Sequence, residues 1–133
     1  MIELIIAAVL QVRLDAANLN PIQREAVQLG LSETELRVYK MFPDDFENAK
    51  RVFTCESGMK HTDKKGNIIV SPTDDYGIVQ LNKIHFSKAR ELGLDPLDIS
   101  GNLTMARWLY DRYQWTPWVC AKKLGIISPA ADG

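Results

Sequence analysis

The chain has 133 residues, 46% hydrophobic and 25% charged, the composition of one small globular domain with a single core. Its 16 basic and 17 acidic side chains leave a formal net charge of -1, so bulk electrostatics gives no hold on nucleic acid or on an anionic membrane. Cys55 and Cys120 stand far apart and in no Cys-x-x-Cys arrangement, which excludes a zinc ribbon and a thioredoxin-like pair and leaves either one disulfide or two free thiols.

Residues 2–10 are apolar like the middle of a signal peptide, yet Glu3 stands where a basic residue belongs and no cleavage site follows. The run is also too short to span a bilayer. The spacing of Ile2, Ile5, Ile6, Val9, Leu10 and Arg13 predicts a packed helix over residues 2–16. Asn20 before Pro21 caps a short helix that stops at Gly30. A capping box from Ser32 to Glu35 opens the next, with Leu36, Tyr39 and Lys40, before Phe42 and Pro43 end it. Residues 1–43 thus read as a helical N-terminal extension.

Asp44, Asp45, Phe46 and Glu47 repeat the capping-box pattern and predict a helix over residues 45–57 that stops at Gly58. Its apolar positions are Phe46, Ala49, Val52 and Phe53, and Glu56 falls seven residues after Ala49, four after Val52 and three after Phe53. A carboxyl on that stripe is desolvated, which raises its pKa and suits it to act as a general acid near neutral pH. The plainer alternative is an exposed glutamate at a helix end.

Residues 59–82 change character. Asp63 to Asn67 is a turn cluster, Ile68 to Val70 is strand-like, and Ser71 to Asp74 is a second turn, so a small antiparallel sheet is expected. Asp75 then lies where the sheet returns toward the helices, and Gly77 admits a close backbone approach. Asp74 and Asp75 as plain turn formers is the competing reading.

Helical period resumes at Asn82 with Ile84, Ala89 and Leu92 on one stripe and Gly93 as the stop. Asn102 reads as the cap of a helix carrying Leu103, Ala106, Leu109, Tyr110 and Tyr113, and Thr116 with Pro117 as the opening of a last one containing Trp118 and Cys120. A frayed tail is expected after Leu124. His61 and His85 have no partner at metal-ligand spacing and read as exposed. The 63–67 run lacks the oxygen pattern of a calcium loop, so neither metal nor cofactor is expected.

Glu56, Ser57 and Gly58, followed by Asp75, Tyr76, Gly77, Ile78, Val79, Gln80, Leu81 and Asn82, resemble the lysozyme superfamily, in which an E-S pair ends a buried helix and D-x-G-x-x-Q-I-N follows across a small sheet. The pattern is closest to lytic transglycosylases of glycoside hydrolase family 23 and to conjugation-associated peptidoglycanases. Cys55 before Glu56, with Trp115, Trp118 and Cys120 near the other end, is similar to the bookends of resuscitation-promoting factors, where the two cysteines form a disulfide. The likeness covers residues 45–123; the first 43 residues carry none of it.

The resemblance implies a mainly α, lysozyme-like fold over residues 44–125, a helical bundle with a small β-hairpin as one wall of a glycan groove, and a tail over 126–133. It implies cleavage of the β-1,4 bond between N-acetylmuramic acid and N-acetylglucosamine in peptidoglycan, lytic transglycosylation being favoured. Glu56 would be the general acid and base, and Asp75 either a second catalytic carboxylate or an anchor of the sheet. Gln80, Tyr76, Gly77 and Tyr113 would bind the glycan; Trp108, Trp115 and Trp118 suit core packing better than sugar stacking. A hydrolytic lysozyme using Glu56 with Asp75, and a catalytically silent glycan-binding module, are the alternatives. The partner is the peptidoglycan strand, with chitin as a possible second substrate. The chain is expected to be a monomer with no transmembrane segment, placed outside the cytoplasm by its substrate and its cysteine pair.

Overall fold

A computed structural model of the chain describes residues 18–127, and the helix expected over residues 2–16 lies outside them. The chain forms two compact units, one up to Arg37 and one from Val38 on. In the first, α1 (Pro21–Leu29) has the expected start: Asn20 Oδ1 accepts from Gln23 N–H at 2.8 Å, and Gln23 Oε1 accepts from Asn20 N–H at 3.1 Å. Gly30, at φ 70°, closes it in the left-handed conformation. The Ser32–Glu35 box forms as well and opens α2 (Glu33–Met41), within which the boundary between the units falls.

The second unit is mainly helical with one small antiparallel sheet. It contains α3 (Phe46–Ser57), β1 (Asp75–Tyr76), β2 (Leu81–Asn82), a 3-10 turn (Lys83–His85), α4 (Phe86–Glu91), α5 (Ile99–Tyr113) and α6 (Val119–Lys123). Ala49, Val52 and Phe53 of α3 are fully buried, as the spacing predicts, beside Phe42, Trp115 and Trp118. β1 and β2 pair Asp75 with Asn82 and Tyr76 with Leu81 around the 77–80 loop. Ile68 to Val70 falls short of a strand: Thr62 with Ile68 and Val70 with Tyr76 make single bridges only, because turns interrupt the segment on both sides.

Five local expectations are corrected. The Asp44–Glu47 capping box does not form; Asp44 is held by Arg107, and Asp45 accepts from Tyr110 Oη–H, Trp115 Nε1–H and Asn48 Nδ2–H. The Arg107, Tyr110 and Trp115 donors arrive from far along the chain and outcompete a cap made from α3's own N–H groups. Ile84 is 79% exposed and Leu92 is also exposed, so the buried stripe of this stretch is Phe86 and Ala89, set by the 3-10 turn that shifts the phase. α5 begins at Ile99 with Asp98 as its cap, while Asn102 is wholly buried inside it. Thr116 and Pro117 lie in turns, and α6 opens only at Val119. Ile126 and Ile127, where a frayed tail was expected, pack against the core; residues 128–133 lie outside the described ones.

Candidate functional site

Glu56 stands in the last turn of α3, half-buried, with Gly58 (φ 69°) turning the chain away behind it. Its Oε1 accepts from the main-chain N–H of Cys120 at 3.1 Å. Cys120 is the second residue of α6, where an N–H has no partner within its own helix, so the carboxyl satisfies a donor that would otherwise be left over. Burial pushes the Glu56 pKa up; the Cys120 N–H pulls it down, the Asp75 charge pushes it up again and Lys123 pulls it down, and the balance is a raised value. The carboxyl is therefore poised to carry a proton closer to neutrality than a free glutamate does. Cys55, its neighbour, is bonded to Cys120 in a disulfide with Cα atoms 6.0 Å apart.

Asp75 opens β1 and is held on both oxygens. Oδ2 accepts from Ser71 Oγ–H at 2.7 Å and from Thr73 Oγ1–H at 2.5 Å, and Oδ1 accepts from Asn82 Nδ2–H at 2.9 Å. Burial pushes its pKa up, but the Thr73, Asn82 and Ser71 donors together outweigh it and the value is lowered. Asp75 is an anchored anion whose field reaches Glu56.

The loop between the strands is clamped from below. Gly77 has φ 77°, and a Cβ there would lie 2.5 Å from His61 Cε1 and 2.9 Å from Asn102 Nδ2. His61 Nδ1 accepts from Ile78 N–H at 3.1 Å, which fixes the hydrogen on Nε2, and Nε2–H donates to Leu97 O at 2.7 Å. The imidazole is a wedge in the fold and not the exposed group its sequence suggested. Asn102 ties this loop to the chain before α5: Oδ1 accepts from Val79 N–H, and Nδ2 donates to Tyr76 O at the end of β1 and to Pro96 O. Ser57 Oγ lies 2.6 Å from Ile78 O and 3.1 Å from Phe53 O, and its one hydrogen serves the nearer, tying the end of α3 to the loop.

Gln80 takes a left-handed backbone (φ 51°), unusual for its type, and its Nε2–H donates to Gly77 O at 3.0 Å, leaving Oε1 unengaged among the described residues. With Asp75, Leu81, Asn82, His85, Leu109, Pro117 and Trp118 it lines a cavity of about 50 Å³. The hairpin thus makes part of a cavity wall. Glu56 is not among its lining residues, and the two share Asp75 as a neighbour. His85 is half-buried there, and burial pulls its pKa down.

Of the other residues singled out, Tyr76 packs its ring on Phe86 at 5.0 Å between centroids. Tyr113 is 53% exposed at the end of α5, and its side chain has no bond or ring contact among the described residues, so the structure does not bring it to this cluster. Trp115 and Trp118 are core residues, Trp118 donating through Nε1–H to Val79 O at 2.9 Å. Trp108 has the Arg112 guanidinium 3.7 Å from its ring centre. The Cys120 N–H, Asn102 and the His61 wedge were missed from sequence, because their partners lie 17 to 64 positions away and local pattern carries no trace of them.

No group of three or more potential metal-ligating side chains occurs among the described residues, and no helix among them is long and apolar enough to cross a membrane. No family model, no curated protein and no solved structure matches the chain.

Proposed function

We propose that the protein is a peptidoglycan-cleaving glycosidase of the lysozyme-like type that cuts the β-1,4 bond between N-acetylmuramic acid and N-acetylglucosamine, as a lytic transglycosylase. The observation that carries this reading is the half-buried Glu56 with its raised pKa, one oxygen fixed by the Cys120 N–H and the anion Asp75 nearby. A general acid needs an affinity for its proton above that of a free carboxylate and a fixed position, and this carboxyl has a raised pKa and one oxygen held in place. Glu56 donates its proton to the glycosidic oxygen as the bond to the anomeric carbon breaks. The resulting carboxylate then takes a proton from a hydroxyl of the same sugar, closing an anhydro ring, or from water in plain hydrolysis. The field of Asp75 favours the positive charge that develops at the anomeric carbon.

Transglycosylation is preferred over a two-carboxylate hydrolysis because the oxygens of Asp75 already accept three hydrogen bonds, which disfavours a role as attacking nucleophile. A free Oε1 on Gln80 suits it to receive an N–H of the sugar's acetamido group. The disulfide supports placement in an oxidising, extracytoplasmic compartment.

The test is digestion of purified peptidoglycan by the parent and by Glu56→Gln, with mass analysis of the released sugars. The parent releases products one water lighter than hydrolytic ones, and the variant is slower by roughly 10²- to 10⁴-fold while still binding glycan. Products of full mass point to a lysozyme, and equal rates in parent and variant overturn the proposal.

A further inference from the structure

Cys55 and Glu56 are consecutive on α3, and Cys120 carries the N–H that reaches Glu56 Oε1. The Cys55–Cys120 bridge therefore joins the same two points of the chain as the carboxyl contact does. α6 has only five residues, too few to hold its own position by helical bonding. Trp118 on Val79 O secures the chain before it, and Arg51 on Leu124 O at 3.2 Å secures the chain after it. Neither bond falls on Cys120 itself; the bridge does.

The two sulfur-bearing residues differ in access. Cys120 is 6% exposed, whereas Cys55 is exposed and lines an open, mainly apolar groove of about 450 Å³ with Lys50, Arg51, Thr54 and Leu124. A reagent approaching the bridge meets Cys55 first, in a groove that Lys50 and Arg51 also line.

We infer that the Cys55–Cys120 disulfide is a positioning element for Glu56, holding the Cys120 N–H against its carboxyl, and that a small dithiol opens it from the Cys55 side and releases that hold. The consequence for catalysis rests on the activity proposed above; the contact itself does not. The opening is a two-electron exchange. A thiolate of the dithiol attacks Cys55 Sγ, the S–S bond breaks with its electron pair on Cys120 Sγ, and that sulfur takes up a proton. The second thiol then closes the reagent's own disulfide and releases Cys55 as a thiol, so the protein gains two electrons and two protons and the dithiol loses them. Once open, α6 keeps its flanking bonds but loses the bond on residue 120 itself, and holding that N–H against Glu56 then costs ordering entropy at that point of the chain.

The experiment is a pH titration of the ¹⁵N-labelled full chain by NMR, before and after dithiothreitol, with glycan cleavage assayed on the same samples. In the oxidised protein the Cys120 amide proton follows the ionisation of Glu56, and Glu56→Gln abolishes that response. In the reduced protein the response is lost, amide dispersion over residues 38–127 persists, and cleavage falls by roughly tenfold to a hundredfold. A response that survives reduction, or one missing before it, overturns the inference. So does a general collapse of dispersion, because the bridge would then support the whole fold and not this contact. Absence of cleavage in the oxidised protein removes the proposed activity alone, since the amide response is read without substrate.

Discussion

Burial of Glu56 and the charge of Asp75 push one way on its proton, and the Cys120 N–H and Lys123 push the other; burial is the largest of these and sets the sign. A folded-state pKa above the unfolded one means that the native chain binds more protons between the two values, so its stability falls as pH rises through that window. Glu56→Gln carries no charge and escapes that loss. Thermal melts at several pH values should show the variant more stable than the parent at neutral pH, with the gap closing once pH drops below the ordinary glutamate range. Asp75→Asn removes a charge that raises the Glu56 pKa, so the alkaline limb of the cleavage profile should move to lower pH, as read from initial rates across pH. An activity lost at every pH would instead make Asp75 a reacting group. The half-burial of Glu56 was legible in the sequence because helix phase puts it on the apolar stripe, whereas its expected chemical role came from the resemblance. The anchoring of Asp75 was only half legible: a turn of Ser71, Thr73 and Asp75 can be read locally, but the Asn82 donor depends on strand register.

Among the elements, the 77–80 loop carries the site's shape, and it depends on a glycine. A methyl group at position 77 would overlap the His61 ring, and the left-handed backbone there disfavours any side chain. Gly77→Ala should lower unfolding stability by roughly 3 kcal/mol in urea titrations, since the strained conformation and the displaced imidazole act together. The need for a small residue at this position was readable in advance; the neighbour that demands it was not, because nothing near Gly77 in sequence points to residue 61. Helix starts divide in the same way. Asn20 and Ser32 cap as expected because donor and acceptor are three residues apart, whereas Asp45 fails to cap because Tyr110 and Trp115 reach it first. The Tyr110 hydroxyl, pushed up to about 12 by burial and then by its bond to Asp45, stays protonated and keeps donating.

On the scale of the whole second unit, the bridge closes a stretch of 65 residues between Cys55 and Cys120, nearly the full span from α3 to α6. Loop-closure entropy makes such a bridge worth about 4 kcal/mol, so replacing both cysteines by serine should lower the urea unfolding free energy by about that amount and leave the protein folded at low urea. The mainly helical class with one small sheet was readable from the alternation of helical period and turn clusters. How the core closes was not, since Phe42, Trp115 and Trp118 meet only in three dimensions.

The donor that fixes Glu56 belongs to the main chain. Every amino acid except proline would supply an N–H at position 120, so side-chain identity there acts on the hydrogen bond only through where the backbone sits, which in this chain the bridge from Cys55 sets. Replacing Cys120 therefore loosens the hold on residue 56 by breaking the bridge, and a proline at 120 is the one replacement that also deletes the donor outright.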